Sequence, residues 1–130
     1  MGHRFSVHDI SDVTLVTTTE TVVATLTGVT TTKPGQRVCL TGRVTLTTGT
    51  ATTNVRLRVR RDSLTGTEIP EAPNDAAEAA AGGIESHDIY VEDSTLGERS
   101  GATYVLTVTQ TAASANGVTS QQSLIAEVEP

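Results

Sequence analysis

Across residues 36–61 apolar and polar positions alternate almost without a break. Val38, Leu40, Gly42, Val44 and Leu46 share one side, while Cys39, Thr41, Arg43, Thr45 and Thr47 share the other. Beyond Thr48-Gly49-Thr50, Val55, Leu57 and Val59 alternate with Arg56, Arg58 and Arg60. Successive side chains of a strand point to opposite faces, so a period of two predicts two strands, each with one buried face. The glycine-bearing turn between them predicts that they form an antiparallel hairpin.

The same period identifies the other strands. Residues 12–18 and 20–27 read as the first two, the second placing Val22, Ala24 and Leu26 on one side and Val23, Thr25 and Thr27 on the other. Lys33-Pro34-Gly35 then turns the chain toward the hairpin. Alternation resumes over 86–93, 103–111 and 121–128, with Asn116-Gly117 as the strongest two-residue hairpin signal. Residues 62–85 interrupt the pattern with Gly66, Pro70 and Pro73 and read as one long loop insertion. Within it Asn74 can cap a short helix through Ala81 that Gly82 ends, with a mobile loop as the alternative. Residues 1–11 show no clear period and are expected to form an N-terminal arm outside the fold. The whole predicts an all-β chain: an antiparallel β-sandwich of jelly-roll or Greek-key type, about eight strands in a single domain over 12–130.

Composition changes this picture in two ways. With 2% aromatic residues and no tryptophan, the core has to be filled by Val, Leu, Ile and Ala. Each such side chain contributes roughly 1.5–3 kcal/mol when buried, so a thin core gains from self-association. Val23, Val105 and Ile125 point away from the face shared by Val22, Leu26, Tyr104, Leu106 and Leu124. They are therefore the expected oligomer interface. The net charge of −6 supplies no cationic field for phosphates, which argues against nucleic acid as a partner. No apolar run approaches a membrane span, so no membrane partner is expected either. The N-terminus carries charges and histidines where a signal peptide would be apolar. Its opening formally matches a myristoylation signal at Gly2, an ordinary arm being the plainer reading.

Candidate chemistry is sparse. His3, His8 and His87 stand in no spacing that defines a nucleophile motif, and the chain is not expected to be an enzyme. Carboxylates at Glu68, Glu71, Asp75, Glu78, Glu85, Asp88, Glu92, Asp93 and Glu98 match no calcium-loop spacing, so no metal or cofactor is expected. Cys39 is the single cysteine and forms no internal disulfide. Lys33, in its proline turn, reads as solvated. The patterned charged feature is the arginine face of Arg56, Arg58 and Arg60, with Arg61 beside it and Arg43 across the expected hairpin. Cross-strand pairing with glutamates of the same or a neighbouring subunit is the plain reading; docking onto an acidic partner through bidentate contacts is the functional one.

The threonine-rich strands, the segment PGQRVCLTGRVTLTTGTATTNVRLRVRR and the C-terminal YVLTVTQTAASANGVTSQQSLIAEVEP resemble small β-sandwich structural proteins of bacteriophage virions. Capsid decoration or cement proteins are the nearest likeness, over about 14–128. The resemblance implies a jelly roll, often a homotrimer, made in the host cytoplasm and seated on the capsid surface of the virion, with the major capsid protein as partner. On that footing Arg4 and Phe5 of the arm, or else the loop over 62–83, are expected to contact the capsid. It carries over no catalytic or binding residue. A carbohydrate-binding or adhesive module of a phage fibre or cell surface is the alternative, against which the shortage of exposed aromatic rings counts.

Overall fold

A computed structural model describes residues 3–48, 53–69, 76–79, 83–112 and 117–130. It contains nine strands: β1 (His3–Asp9), β2 (Val13–Thr14), β3 (Glu20–Thr31), β4 (Val38–Thr47), β5 (Thr53–Arg61), β6 (Ala76–Ala79), β7 (Ile84–Asp93), β8 (Arg99–Ala112) and β9 (Val118–Val128). They form two antiparallel sheets, one ordered β1-β9-β4-β7 with β2 added on β9, the other β3-β8-β5-β6. The pairs β1–β9, β3–β8, β4–β7 and β5–β6 nest inside one another like a single long hairpin, with its tip between β5 and β6. Wrapping that ribbon so that β9 also meets β4, and β8 also meets β5, produces the two layers of a jelly roll.

This topology corrects the expected central hairpin. β4 and β5 are strongly alternating strands, but they lie in opposite sheets and never pair. The alternation requires only that each strand bury one face; lying in opposite layers of the sandwich satisfies that as well as lying side by side. Gly42 records how close the layers come, since a Cβ there would stand 2.7 Å from Cδ1 of Leu106. The hairpin expected at Asn116-Gly117 is corrected in the same way, because β8 and β9 belong to different sheets. Residues 49, 50, 74 and 116, on which those turns and the helix cap were placed, lie outside the described residues, as does Gly2.

Two further expectations change. The segment expected as an outlying arm is an edge strand, in which all seven residues of β1 pair with β9. Only Phe5 and Val7 mark its period of two, too few apolar positions to reveal it, and both pack against the core. The expected helix is overturned over 76–79, where the backbone is strand β6 paired with Thr53 to Arg56. A helix that short has too few hydrogen bonds to offset its nucleation, whereas the open edge of β5 offers ready partners. Just before it, residues 62–69 fold back along β5, with the Ile69 amide donating to the Val59 carbonyl. This brings Ile69 into the core, 2% exposed.

The core is filled as the composition predicts, by aliphatic side chains of both layers, with Tyr104 the largest fully buried one. In β3 a bulge between Val22 and Ala24 reverses half of the expected alternation. Val23 and Ala24 are both buried, at 3% each, while Val22 is half-buried. Another bulge lies in β9, where the step from Arg43 to Thr45 on β4 spans Ser123 to Ser120. Gln121 sits there in the left-handed region with φ of 52°. That is uncommon for a residue with a Cβ and marks a local constraint.

Candidate functional site

The bulge at Gln121 shapes the outer face of the β1-β9-β4-β7 sheet. Strand register places His8, Ser123, Arg43 and Asp88 in one row across all four strands. Ser6 and Ile125 stand in the next row, and Thr45 opposite Ser86 lies on the other side. All of these except Asp88, together with Arg4, Val7 and Gln121, line a groove of about 550 Å³. Ligand sites commonly have volumes of about 300–1,000 Å³. His8 Nε2 and Gln121 Oε1 are 3.1 Å apart, so the bulge residue orients the imidazole. Thr45 and Ser86 hydroxyls meet at 3.4 Å. Arg43 Nε lies 3.1 Å from Asp88 Oδ1 with both side chains 59% exposed. An exposed pair of this kind is weak and readily opened by a competing anion. Below the bulge the Gln122 amide turns inward and donates to the carbonyls of Asp9 and Ser11, tying the end of β1 to β9.

The opposite outer face is built differently. Arg60 forks onto Glu20 at 2.6 and 2.9 Å, reaching from β5 over β8 to β3. Glu20 also accepts from the Thr107 hydroxyl beneath it at 2.6 Å. Arg58 bonds Glu68 at 3.2 Å and the Thr109 hydroxyl at 3.2 Å. The Arg60 guanidinium, and then Thr107, hold the Glu20 carboxyl below its ordinary range against the opposing effect of burial. Arg58 and Arg60 therefore have their carboxylates within the same chain. Arg58 and Arg60 do not form a free surface for an acidic partner, and Arg56 also has an interaction of its own.

Arg61, one residue on and facing inward, crosses to the other sheet. It bonds Asp93 at 2.6 and 2.7 Å and the Thr95 hydroxyl at 2.7 Å, while Tyr104 donates to Asp93 at 2.7 Å. Burial would raise the Asp93 carboxyl, but Arg61, Tyr104 and Thr95 outweigh it and hold the group below its ordinary value. Burial and the Asp93 carboxylate push the Tyr104 phenol well above its own. This is a clamp between layers, and nothing in its composition prepares a reaction.

The remaining expected residues are placed plainly. Val23 and Val105 are 3% and 4% exposed within one chain, so neither supplies free apolar surface for a second copy. Ile125 is half-buried in the groove wall. Arg4 is exposed in the groove, while Phe5 turns its ring toward the core, so the two expected capsid contacts face opposite ways. His87 Nε2 lies 3.4 Å from Glu85 Oε2, and the three histidines stand apart. Among the described residues no group of His, Cys, Asp and Glu is arranged to hold a metal. Cys39 is half-buried beside Glu129, its thiol pushed upward by burial. The groove itself was missed by sequence reasoning. Its lining is scattered over four strands, and its one local cue is the Gln121-Gln122 pair, where the alternation of β9 slips.

No protein-family model matches the chain, and no curated protein matches it in sequence. Solved structures do share its fold. A chain of the T13 particle of infectious bursal disease virus superposes with a TM-score of 0.65 at 7% identity over 98% of this chain. A chain from the Gx strain of the same virus gives 0.63 at 8% identity, again over 98%. This chain spans about a third of each of those chains, 31% and 33%. At such identities the likeness establishes the fold alone.

Proposed function

We propose that this chain is a structural protein of a virion: a decoration or cement protein that binds the outside of a bacteriophage head as a homo-oligomer, a trimer, and stabilises it. The observation that supports this best is the jelly-roll pairing, which runs through nearly the whole described chain and is shared with chains of a virus particle at a TM-score of 0.65. The fold's rigidity fits the role. The Arg61–Asp93–Tyr104 clamp ties the layers internally, and the Glu20–Arg60 fork fastens β3 to β5, so loops and faces are held in fixed relation.

In this role the protein does no covalent chemistry. Binding to the assembled shell and not to its parts stabilises the shell by mass action, by about 2.7 kcal/mol at a hundredfold excess over Kd, and attachment at several points multiplies the effect. Its partners are the major capsid protein and further copies of itself. The test is co-sedimentation of purified protein with heads of the phage that encodes it, prepared without it, together with light scattering of the free protein. Saturable binding that raises the temperature of head rupture is expected. Failure to bind at micromolar concentration sinks the proposal, and a monomer in solution removes its trimer.

A further inference from the structure

The geometry points to a second role for the outer face of the β1-β9-β4-β7 sheet: its groove is a binding site for an acidic saccharide, a short oligosaccharide carrying carboxylates. This does not rest on capsid attachment.

Three features carry it. The walls are hydroxyl and amide groups, Ser6, Thr45, Ser86, Ser123 and Gln121, with the His8 imidazole. Each can both donate and accept, as sugar hydroxyls do, whereas a purely anionic peptide or phosphate needs donors alone. Two guanidiniums enter the same groove, Arg4 from β1 and Arg43 from β4, separated by the one intervening strand β9 and four residues of register along it. They therefore meet carboxylates at different points along an extended ligand, each through a planar fork. Arg4 makes no ion pair among the described residues, and Arg43 is held only by the exposed Asp88. Ile125 adds a small apolar floor against which the C–H face of a sugar ring packs in place of an aromatic platform. The chain spends a left-handed non-glycine residue at Gln121 to shape this wall and to hold His8 at 3.1 Å. Such strain is characteristic of binding sites.

The experiment is a titration of isotope-labelled protein with trigalacturonate, followed by NMR, alongside its methyl ester and a short polyglutamate peptide. Saturable shifts at Ser6, Thr45, Ser86 and Ser123 are expected, with Kd in the millimolar range or tighter. The ester should bind at least about tenfold more weakly, and Arg43→Gln should lose a similar factor. Arg99→Gln, which opens the exposed Asp62 pair elsewhere, serves as a folded control and should bind normally. No shifts up to about 10 mM, or equal binding of ester and acid, overturn the site. Tighter binding of polyglutamate overturns the saccharide and assigns the groove to an acidic protein segment. Because no capsid is present, these outcomes are independent of the decoration test.

Discussion

Arg58 and Arg60 on one outer face have side chains 19% exposed, while Arg43 on the other is 59% exposed, although all three occupy outward positions of paired strands. What differs is the acid each one meets. Glu20 is itself only 20% exposed, lies against Thr107 and spans three strands, so Arg60 closes over a continuous polar roof that buries Thr107 and Val105 beneath it. Asp88 stands directly across from Arg43 on the next strand and is itself 59% exposed. The same residue type, on the same period, thus builds structure on one face and leaves binding capacity on the other. Exposure of the partner separates the two uses, not the arginine count.

The largest effect should come from the ion pair with the least solvent. Asp93 is 2% exposed and accepts from Arg61, Tyr104 and Thr95, so Asp93→Ala leaves a guanidinium and a phenol without their acceptor between the sheets. A loss of about 3–5 kcal/mol in urea unfolding is expected. A loss below about 1 kcal/mol would mean that water enters and that this clamp resembles the surface pairs.

Acid should reveal the same ranking without mutation. Asp93 and Glu20 both have carboxyls held below their ordinary values in the folded chain. Depressed groups contribute stability that is complete above the unfolded carboxyl range, near pH 4, and is lost as pH falls through the folded value. Stability should accordingly stay level on acidification to about pH 5 and then drop below about pH 4. Glu20→Gln should flatten part of that drop. At neutral pH it should cost about 1–2 kcal/mol, less than Asp93→Ala because Glu20 retains some contact with water. Urea midpoints across the pH series test both.

How much of this was legible in the chain follows from what a period of two can encode. It marks a strand and its buried side, and Val38 to Leu46 and Val55 to Val59 are buried as their alternation requires. It is silent on which sheet the strand joins. A tight hairpin and a crossing between layers leave the same local pattern, so β4 and β5 read as neighbours although they lie in opposite sheets. Bulges are equally silent until they occur: one extra residue in β3 turns Val23 inward and removes it from the expected oligomer surface. The arginines were visible from the sequence. Their acids were not, because Glu20 and Arg60 are forty positions apart and meet only across an intervening strand. The groove was the least legible of all, since His8, Ser123, Arg43 and Ser86 come from four separate strands.

The smallest expected change is also the most direct test of the contrast between faces. Asp88→Ala removes the acid paired with Arg43, from a pair that is 59% exposed on both sides. Exposed pairs contribute little, so unfolding stability should move by less than about 0.5 kcal/mol. Freed from its neighbour, the guanidinium no longer has to leave Asp88 before engaging a carboxylate, and a group with the ligand's own charge is removed from beside Arg43. Trigalacturonate should then bind more tightly, by about two- to fivefold at low salt, with the gain shrinking as ionic strength rises. The double variant with Arg43→Gln should lose that gain entirely, because the benefit of removing Asp88 passes through Arg43. A stability loss above about 1 kcal/mol would instead place Arg43–Asp88 with Arg60–Glu20 as part of the framework. Both faces would then be structural, and the groove would lose its claim to a ligand.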